Sequence, residues 1–396
     1  MAQIMGLVDT GDLSSDRFYN WRRNVLRLFP NGTAPLQAFM SLMDSEVTDD
    51  PHIYWHEKGM PVQRDAIATI ESDVSFDVTT IVVTTSNVFR AGHLLKNERT
   101  EEIIKVTAVS TTTLTVVRSV TATWGAPTLA MVAGDVLQVI GNVSGEGDTS
   151  GSGIYVDPTQ KTNYTQIFRT PYSMSGTALK TTVRYAPGSA WPEVQKDALI
   201  RHSTEMELAY IHGKKAEYAG SNGYERTCDG LIAFIDSGNK LTVPSGVITR
   251  DWWETQMELL FRYCLNKNNE KLALAGSNAL CQLNKMAQDS GVIELVPESS
   301  AFGMQIQKWI TPYGVLYLKM HPLFSQHPTW RNECLIVDLP GIKHRPMRGR
   351  DTQRLQNRQA NDADQRKEEF LTEACPEVNH GAAHMYLKNI VSFNKA

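Results

Sequence analysis

Between Val74 and Val120 the chain carries 10 Val, 3 Ile and 10 Thr in 47 residues, and this run limits the possible fold more than any other feature. β-branched side chains are stiff at χ1 and fit a pleated surface better than a helix. The pieces DVTTIVVTT, EEIIKVTAV, TLTVVRSV and, further on, GDVLQVIG are of strand length and separated by turn-formers, the pattern of a small barrel or sandwich. The whole chain has 396 residues, and at about 150 residues per domain such a β-domain accounts for only part of it.

Upstream, SSDRFYNWRRNVLRLFPNG sets Phe18, Trp21, Val25, Leu28 and Phe29 at helical spacing, with Arg17, Arg22, Arg23 and Arg27 mainly elsewhere on the wheel. Pro30, Asn31 and Gly32 end this helix. A second short helix over APLQAFMSLM places Leu36, Phe39, Met40 and Met43 on one face. Together they make an arm whose aromatic stripe needs cover from elsewhere, which a neighbouring copy can supply.

Downstream, GNVSGEGDTSGSG has the composition of a flexible connector. WPEVQKDALIRHSTEMELAYIHGKKAEYAG then predicts one long helix of about seven turns, with Pro192 near its start and Gly220 at its end. Its apolar stripe is Val194, Ala198, Leu199, His202, Met206, Ala209 and Tyr210. Helices over DWWETQMELLFRYCLN and NALCQLNKMAQDSG alternate with strands over KLALAGS, GMQIQKWITPYGVLYLKMH and NECLIVDL, giving an α/β unit. EEFLTEACPEVN and HMYLKNIVSF read as two strands returning to an earlier part of the fold.

Composition narrows the function classes. Hydrophobic residues are 41% and charged residues 21%, which argues against disorder, collagen-like repeats or coiled coil as an account of the whole. Lys plus Arg is 39 against 43 Asp plus Glu, a net charge of −4, so there is no global positive field for nucleic acid or an anionic membrane. No apolar run approaches the ~18 residues of a membrane span, and the N-terminus lacks a basic segment followed by an apolar one, so neither secretion nor membrane insertion is expected. The five cysteines are odd in number and show no CxxC spacing, as for reduced thiols in a cytosolic chain.

Chemical motifs are sparse. Cys375, His380 and His384 have ligand types that suit zinc, and a metal-dependent hydrolase built on them is a minor alternative. No fourth ligand is evident, and an exposed turn with incidental histidines fits the spacing better. His52 and His56 lack the HExxH order, and the alternation around them favours a strand with both on one sheet face. There is no GxSxG elbow, and GEGDTSGSG lacks both the GK[ST] ending and the following helix of a phosphate cradle. Residues 343–358 hold Lys343, Arg345, Arg348, Arg350, Arg354 and Arg358 against Asp351. The next stretch holds Asp362, Asp364, Glu368, Glu369 and Glu373 against Arg366 and Lys367. Adjacent blocks of opposite sign, without interleaved aromatics, favour ion pairing within or between copies over contact with nucleic acid.

The order of segments resembles the tailed-bacteriophage major capsid (major head) proteins, in the group with a β-barrel inserted before the spine helix. The similarity lies in PLQAFMSLM, in DDPHIYWHEKGMP, and in the barrel core EEIIKVTAVSTTTLTVVRSVTAT with GDVLQVIGN. It continues through NYTQIFRTPYSMSGTA, the long helix and RTCDGLIAFI. The resemblance implies an α+β fold with the following divisions: an N-terminal arm (1–50), an extended loop (51–70 and 154–188), an inserted β-barrel (71–142) and a flexible linker (143–153). A peripheral domain (189–225 and 370–396) and an axial α/β domain (226–369) complete it.

Implied with this fold is a catalytically inactive protein that forms pentamers and hexamers of an icosahedral shell around double-stranded DNA. It would need no cofactor and no metal, would not bind DNA by sequence or touch a membrane, and would assemble in the host cytoplasm and end in the virion. Portal, scaffolding and decoration proteins are the implied further partners, and another virion component such as a tail-tube or decoration protein is the alternative identity. Candidate intersubunit contacts are Phe18, Trp21, Arg22, Arg23, Tyr164, Phe168, Arg169, Arg345, Arg348 and Arg350. Deleting residues 1–45 should leave a soluble protein defective in assembly; closed particles at normal yield in electron micrographs would remove that role from the arm.

Overall fold

The computed structural model describes residues 45–60, 62–70, 79–120, 130–147, 149, 151, 153–183, 189–290, 296–301 and 304–394. The arm helices, with Phe18, Trp21, Arg22 and Arg23, lie outside the described residues. The chain divides into two compact units, Met1–Trp55 with Gln160–Ala396, and His56–Thr159.

Strand β1 (His52–Glu57) leads into the second unit, a closed barrel of β2 (Arg64–Ile70), β3 (Thr80–Val83), β4 (His93–Asn97), β5 (Ile103–Ser110), β6 (Thr113–Val117) and β7 (Val136–Asn142), ordered β2-β3-β6-β5-β4-β7. Every neighbouring pair is antiparallel. Alternate residues point inward, so Ile67, Ile81, Leu95, Ile104, Val106, Leu114 and Leu137 fill the interior, and closure removes the unpaired edges that short strands would otherwise expose. The barrel starts at Arg64, ahead of the expected boundary at residue 71. RDAIATI alternates as a strand with Ile67 inside, but it precedes the Val/Thr-rich run that drew attention to the domain. Several polar groups of the barrel are paired: Asp135 accepts from Asn97 and from Arg99, and Arg118 makes a bidentate pair with Glu102 at 2.6 and 2.8 Å.

The chain returns through β8 (Thr159–Tyr164), which pairs with β1, and continues as β9 (Gln166–Ser175). Helix α1 (Trp191–His212) follows. Ser189 Oγ accepts from the Trp191 N–H, and Pro192 sits in the first turn, where a missing N–H costs nothing. The helix stops eight residues short of Gly220. At Gly213 a Cβ would lie 2.4 Å from the Ala209 carbonyl oxygen and 2.5 Å from that of Cys228, so only glycine fits. AEYAGSNGYERT then forms a hairpin of β10 (Ala216–Gly220) and β11 (Gly223–Thr227), with Gly223 at φ +121°.

The longer helices and the strands that remain are β12 (Lys240–Thr242), β13 (Val247–Ile248), α2 (Arg250–Phe261), β14 (Glu270–Ala275), α3 (Ser277–Ser290), β15 (Val296–Ala301), β16 (Met304–Thr311), β17 (Gly314–Met320) and β18 (Cys334–Val337). They are followed by β19 (Ile342–Pro346), β20 (Gln353–Leu355), β21 (Gln365–Val378), β22 (Met385–Lys388) and β23 (Ser392–Phe393). A seven-stranded mixed sheet runs β12-β22-β18-β14-β17-β16-β15. Its two faces serve different cores. Ala273 and Ala275 of β14 face α2 and α3 with Trp253, Met257, Leu260, Ala279 and Leu283. Leu272 and Leu274 face the other way, toward Met206, Tyr210 and Ile211 of α1.

A second, four-stranded sheet has β21 at its centre, with β9 along one edge and β20 and β19 end to end along the other, all antiparallel. Two expectations are corrected here. Residues 166–175, assigned to the extended loop, are a strand of this sheet, because Phe168, Thr170 and Tyr172 alternate inward. Met385–Lys388, expected to return to the peripheral sheet, instead lies between β12 and β18 of the seven-stranded sheet, and Met385, Tyr386 and Leu387 are buried as an interior strand requires. Leu114 is wholly buried, so Leu114→Ala should destabilise the barrel by about 2–5 kcal/mol, read as a lower denaturant midpoint for the barrel signal.

Candidate assembly surface

The sequence EEFLTEACPEV places glutamates on a strand that is buried along most of its length. Unpaired, each buried carboxylate would cost several kcal/mol. Glu369, Glu373 and Glu377 share one face, since strand side chains alternate. Arg169 and Arg358 reach Glu369 at 3.0 and 3.5 Å, and Arg350 reaches Glu373 at 2.5 Å. Arg345 Nε lies 2.9 Å from Glu377, an ion contact outside hydrogen-bond alignment. On the opposite face Glu368 accepts from Arg354, from Arg366 and from the Tyr172 hydroxyl. Burial pulls the Glu368 pKa up, and these donors more than offset it, holding the carboxyl below its ordinary 4.5.

The basic run is therefore spent inside the chain. Its remaining members, Lys343 and Arg348, pair with the segment leading into β1, as Arg345 does too: Arg345 and Lys343 reach Glu46 at 2.6 and 3.5 Å, and Arg348 reaches Asp49 at 2.8 Å. Arg345 chiefly, by hydrogen bond and charge, holds Glu46 below the usual carboxylate range. Backbone bonds reinforce the contact, with the Thr48 N–H donating to the Pro346 carbonyl and the Arg348 N–H to that of Thr48. This segment runs parallel to β19 along its open edge.

The expected contact residues divide on this geometry. Phe168 is 6% exposed and packs on Tyr210 at 6.2 Å, and the Arg345 side chain is 12% exposed and held between Glu46 and Glu377. Both are engaged within this chain, Phe168 buried and Arg345 half-buried. Tyr164 is half-buried against His52 at 4.5 Å. Arg169, Arg348 and Arg350 keep substantial exposure while paired. Sequence reasoning missed an aromatic patch: Ile167, Tyr218 and Tyr224, 49%, 55% and 66% exposed, border a hollow of about 300 Å³ with Glu225, Arg226 and Glu373. The signal was the alternation AEYAG and GYERT, hidden by the apparent continuity of the preceding helix.

Cys375, His380 and His384 are not assembled as ligands. Cys375 and His384 are fully buried. His384 Nδ1 accepts from the Asp338 N–H and its other ring nitrogen meets the Asn379 carbonyl, while burial lowers its pKa to about 4. Burial likewise pushes the Cys375 thiol up. Among the described residues no three His, Cys, Asp or Glu side chains are grouped to hold a metal ion. His52 and His56 share one face of β1, and His52 contacts Glu217 at 3.4 Å.

Comparison with known proteins gives a consistent relation. The family model for the SU10 major capsid protein matches residues 9–391. The major capsid protein of Pseudomonas phage PaMx41 is 26% identical over 336 residues, covering 83% of this chain and 78% of that protein. A solved chain from Microbacterium phage Oxtober96 superposes with TM-score 0.46 at 11% identity, covering 98% of this chain and all of that one. One from Mycobacterium phage Cain gives 0.45 at 10% identity, with 99% and 100% covered. The relation rests on the sequence matches and not on these low superposition scores.

Because Glu368 has a depressed folded pKa, its contribution to stability is complete above its ordinary pKa of 4.5 and is lost as pH falls through the folded value. Glu368→Gln should cost about 1–3 kcal/mol at neutral pH and flatten the acid limb of a stability-versus-pH curve. An unchanged acid limb would count against this role.

Proposed function

The chain belongs to the SU10 major capsid protein family, and from that premise we propose how it builds a shell. Copies associate into pentamers and hexamers of an icosahedral head that encloses double-stranded DNA, and the chain performs no catalysis of its own. The observation that carries this reading is the extent of the family match, residues 9–391, which takes in the arm segment, the barrel and both sheets rather than one domain.

The surface supports it. A lattice protein needs area rather than a pocket, and weak contacts repeated many times hold it together. Large apolar side chains are exposed in several segments, among them Tyr54, Met60, Tyr155, Tyr218, Tyr224 and Ile310, and exposed apolar groups of that size mark interaction sites when clustered. The arginines that would otherwise attract nucleic acid are paired internally. The contact set is Phe18, Trp21, Arg22 and Arg23 of the arm, with Tyr164, Arg169, Arg348 and Arg350, and with Ile167, Tyr218 and Tyr224 of the hairpin patch. Portal, scaffolding and decoration proteins would meet the assembled shell, which forms in the host cytoplasm.

Negative-stain micrographs of the overexpressed chain should show closed shells; tubes, or monomers only, would contradict this function. Arg348 is 76% exposed on its side chain, and Arg348→Glu should lower closed-particle yield about tenfold through like-charge repulsion while leaving the monomer folded.

A further inference from the structure

Helix α2, helix α3 and the β16–β17 turn enclose a cleft of about 560 Å³, lined by Trp253, Met257, Met286, Trp309, Ile310 and Tyr313. Its volume and apolar walls are those of a binding site. Trp253 and Trp309 are each 2% exposed and stack at 5.5 Å, and Trp253 Nε1 is buried without a hydrogen-bond partner. A buried indole N–H ordinarily finds an acceptor. The cleft is open to an apolar guest. Ile310 and Tyr313, 60% and 43% exposed at the rim, also lack cover.

We propose that the occupant is the arm of this polypeptide, residues 17–29, with Phe18, Trp21, Val25, Leu28 and Phe29 laid into the cleft. Three observations select it. The first is complementarity of surface, because the sequence of the arm has an aromatic stripe needing cover and the cleft is apolar and uncovered. The second is charge. Arg250 at the rim pairs with Glu254 and lies in the field of Asp251, while the arm carries Arg17, Arg22, Arg23 and Arg27 against Asp16. The third is position and reach. Ser45 bridges His344 and Thr48 bridges Met347 in parallel, so the described chain begins beside β19, whose N-terminal end follows Gly341. Gly341 adjoins Leu265, four residues beyond the end of α2. Residues 30–44 can span about 50 Å when extended, against a radius of gyration of about 18 Å for a body of roughly 250 residues. The cleft of the same copy or of its neighbour is within range.

This inference deepens the assembly role given to the arm above, and its test is separable from that role. In the full chain, p-benzoylphenylalanine replaces Trp21, and after irradiation the cross-linked peptides are identified by mass spectrometry. Adducts on Met257, Met286 or Trp309 are expected, whether within one copy or between two. A probe replacing Arg22, on another face of the arm, should leave those residues unlabelled. Ile310→Arg, at an exposed position that tolerates the change, should reduce the adduct about tenfold, or about 1.4 kcal/mol. Adducts confined to other surfaces or to other proteins, or an adduct indifferent to Ile310→Arg, would overturn the proposal. Normal shells without a cleft adduct would sink this inference and leave the shell-forming function standing.

Discussion

Strand β21 sets the terms for the sheet around it. It is a central strand, buried on both faces, that carries Glu368, Glu369, Glu373 and Glu377. Such a strand is stable only if cations arrive from both sides, since the field of a paired arginine offsets what desolvation costs a carboxylate. That requirement explains the neighbouring segment: Arg345, Arg350, Arg354 and Arg358 are delivered by β19, β20 and the connections that follow each, and Arg169 by β9 across the other edge. Glu46 and Asp49 then bind the outer side of the same run, so the segment entering β1 is fixed by the same network.

Helix α1 joins this charged sheet to the apolar one. Its Ala198 and Trp191 pack with Tyr172 and Phe370, and Met206, Tyr210 and Ile211 pack with Leu272, Leu274 and Leu335. Where it crosses polar ground its side chains are matched: His202 bonds Thr170 and Thr372, Tyr210 bonds His344, and Glu207 bonds His321 at 3.0 Å with both fully buried. Burial alone lowers the His202 pKa, which suits a neutral imidazole between two hydroxyls. A helix covered on more than one side loses the clean apolar stripe of a surface helix. Leu199 in the expected stripe is therefore 43% exposed while Glu207 is inside.

The barrel, the long helix and the α/β unit were legible because each has a local signature: branched residues at period two, or apolar residues at 3.6. Opposed charge blocks were legible as ion pairing for the same reason, being adjacent in sequence. What was not legible depended on distant partners. Gly213 ends α1 because the Cys228 carbonyl crowds it, and no local pattern encodes that contact. Residues 166–175 become a sheet strand through β21, about 200 positions away, and Met385–Lys388 is drawn between β12 and β18 by burial on both faces. Phe168 and Arg345 have types that suit interfaces, and their contacts with Tyr210 and Glu377 within the chain depend on distant partners.

The central claim is that the arginine-rich run is paired with β21 and the entering segment, so that its exposed members and the exposed apolar side chains face other copies of the chain rather than nucleic acid. The salt dependence of double-stranded DNA binding by the unassembled protein tests this most directly. Internal pairing predicts weak binding with a logarithmic salt slope near zero. A slope of about −4 to −5, as for five cations released onto phosphates, would contradict the account, because it would require the arginines to leave their glutamates.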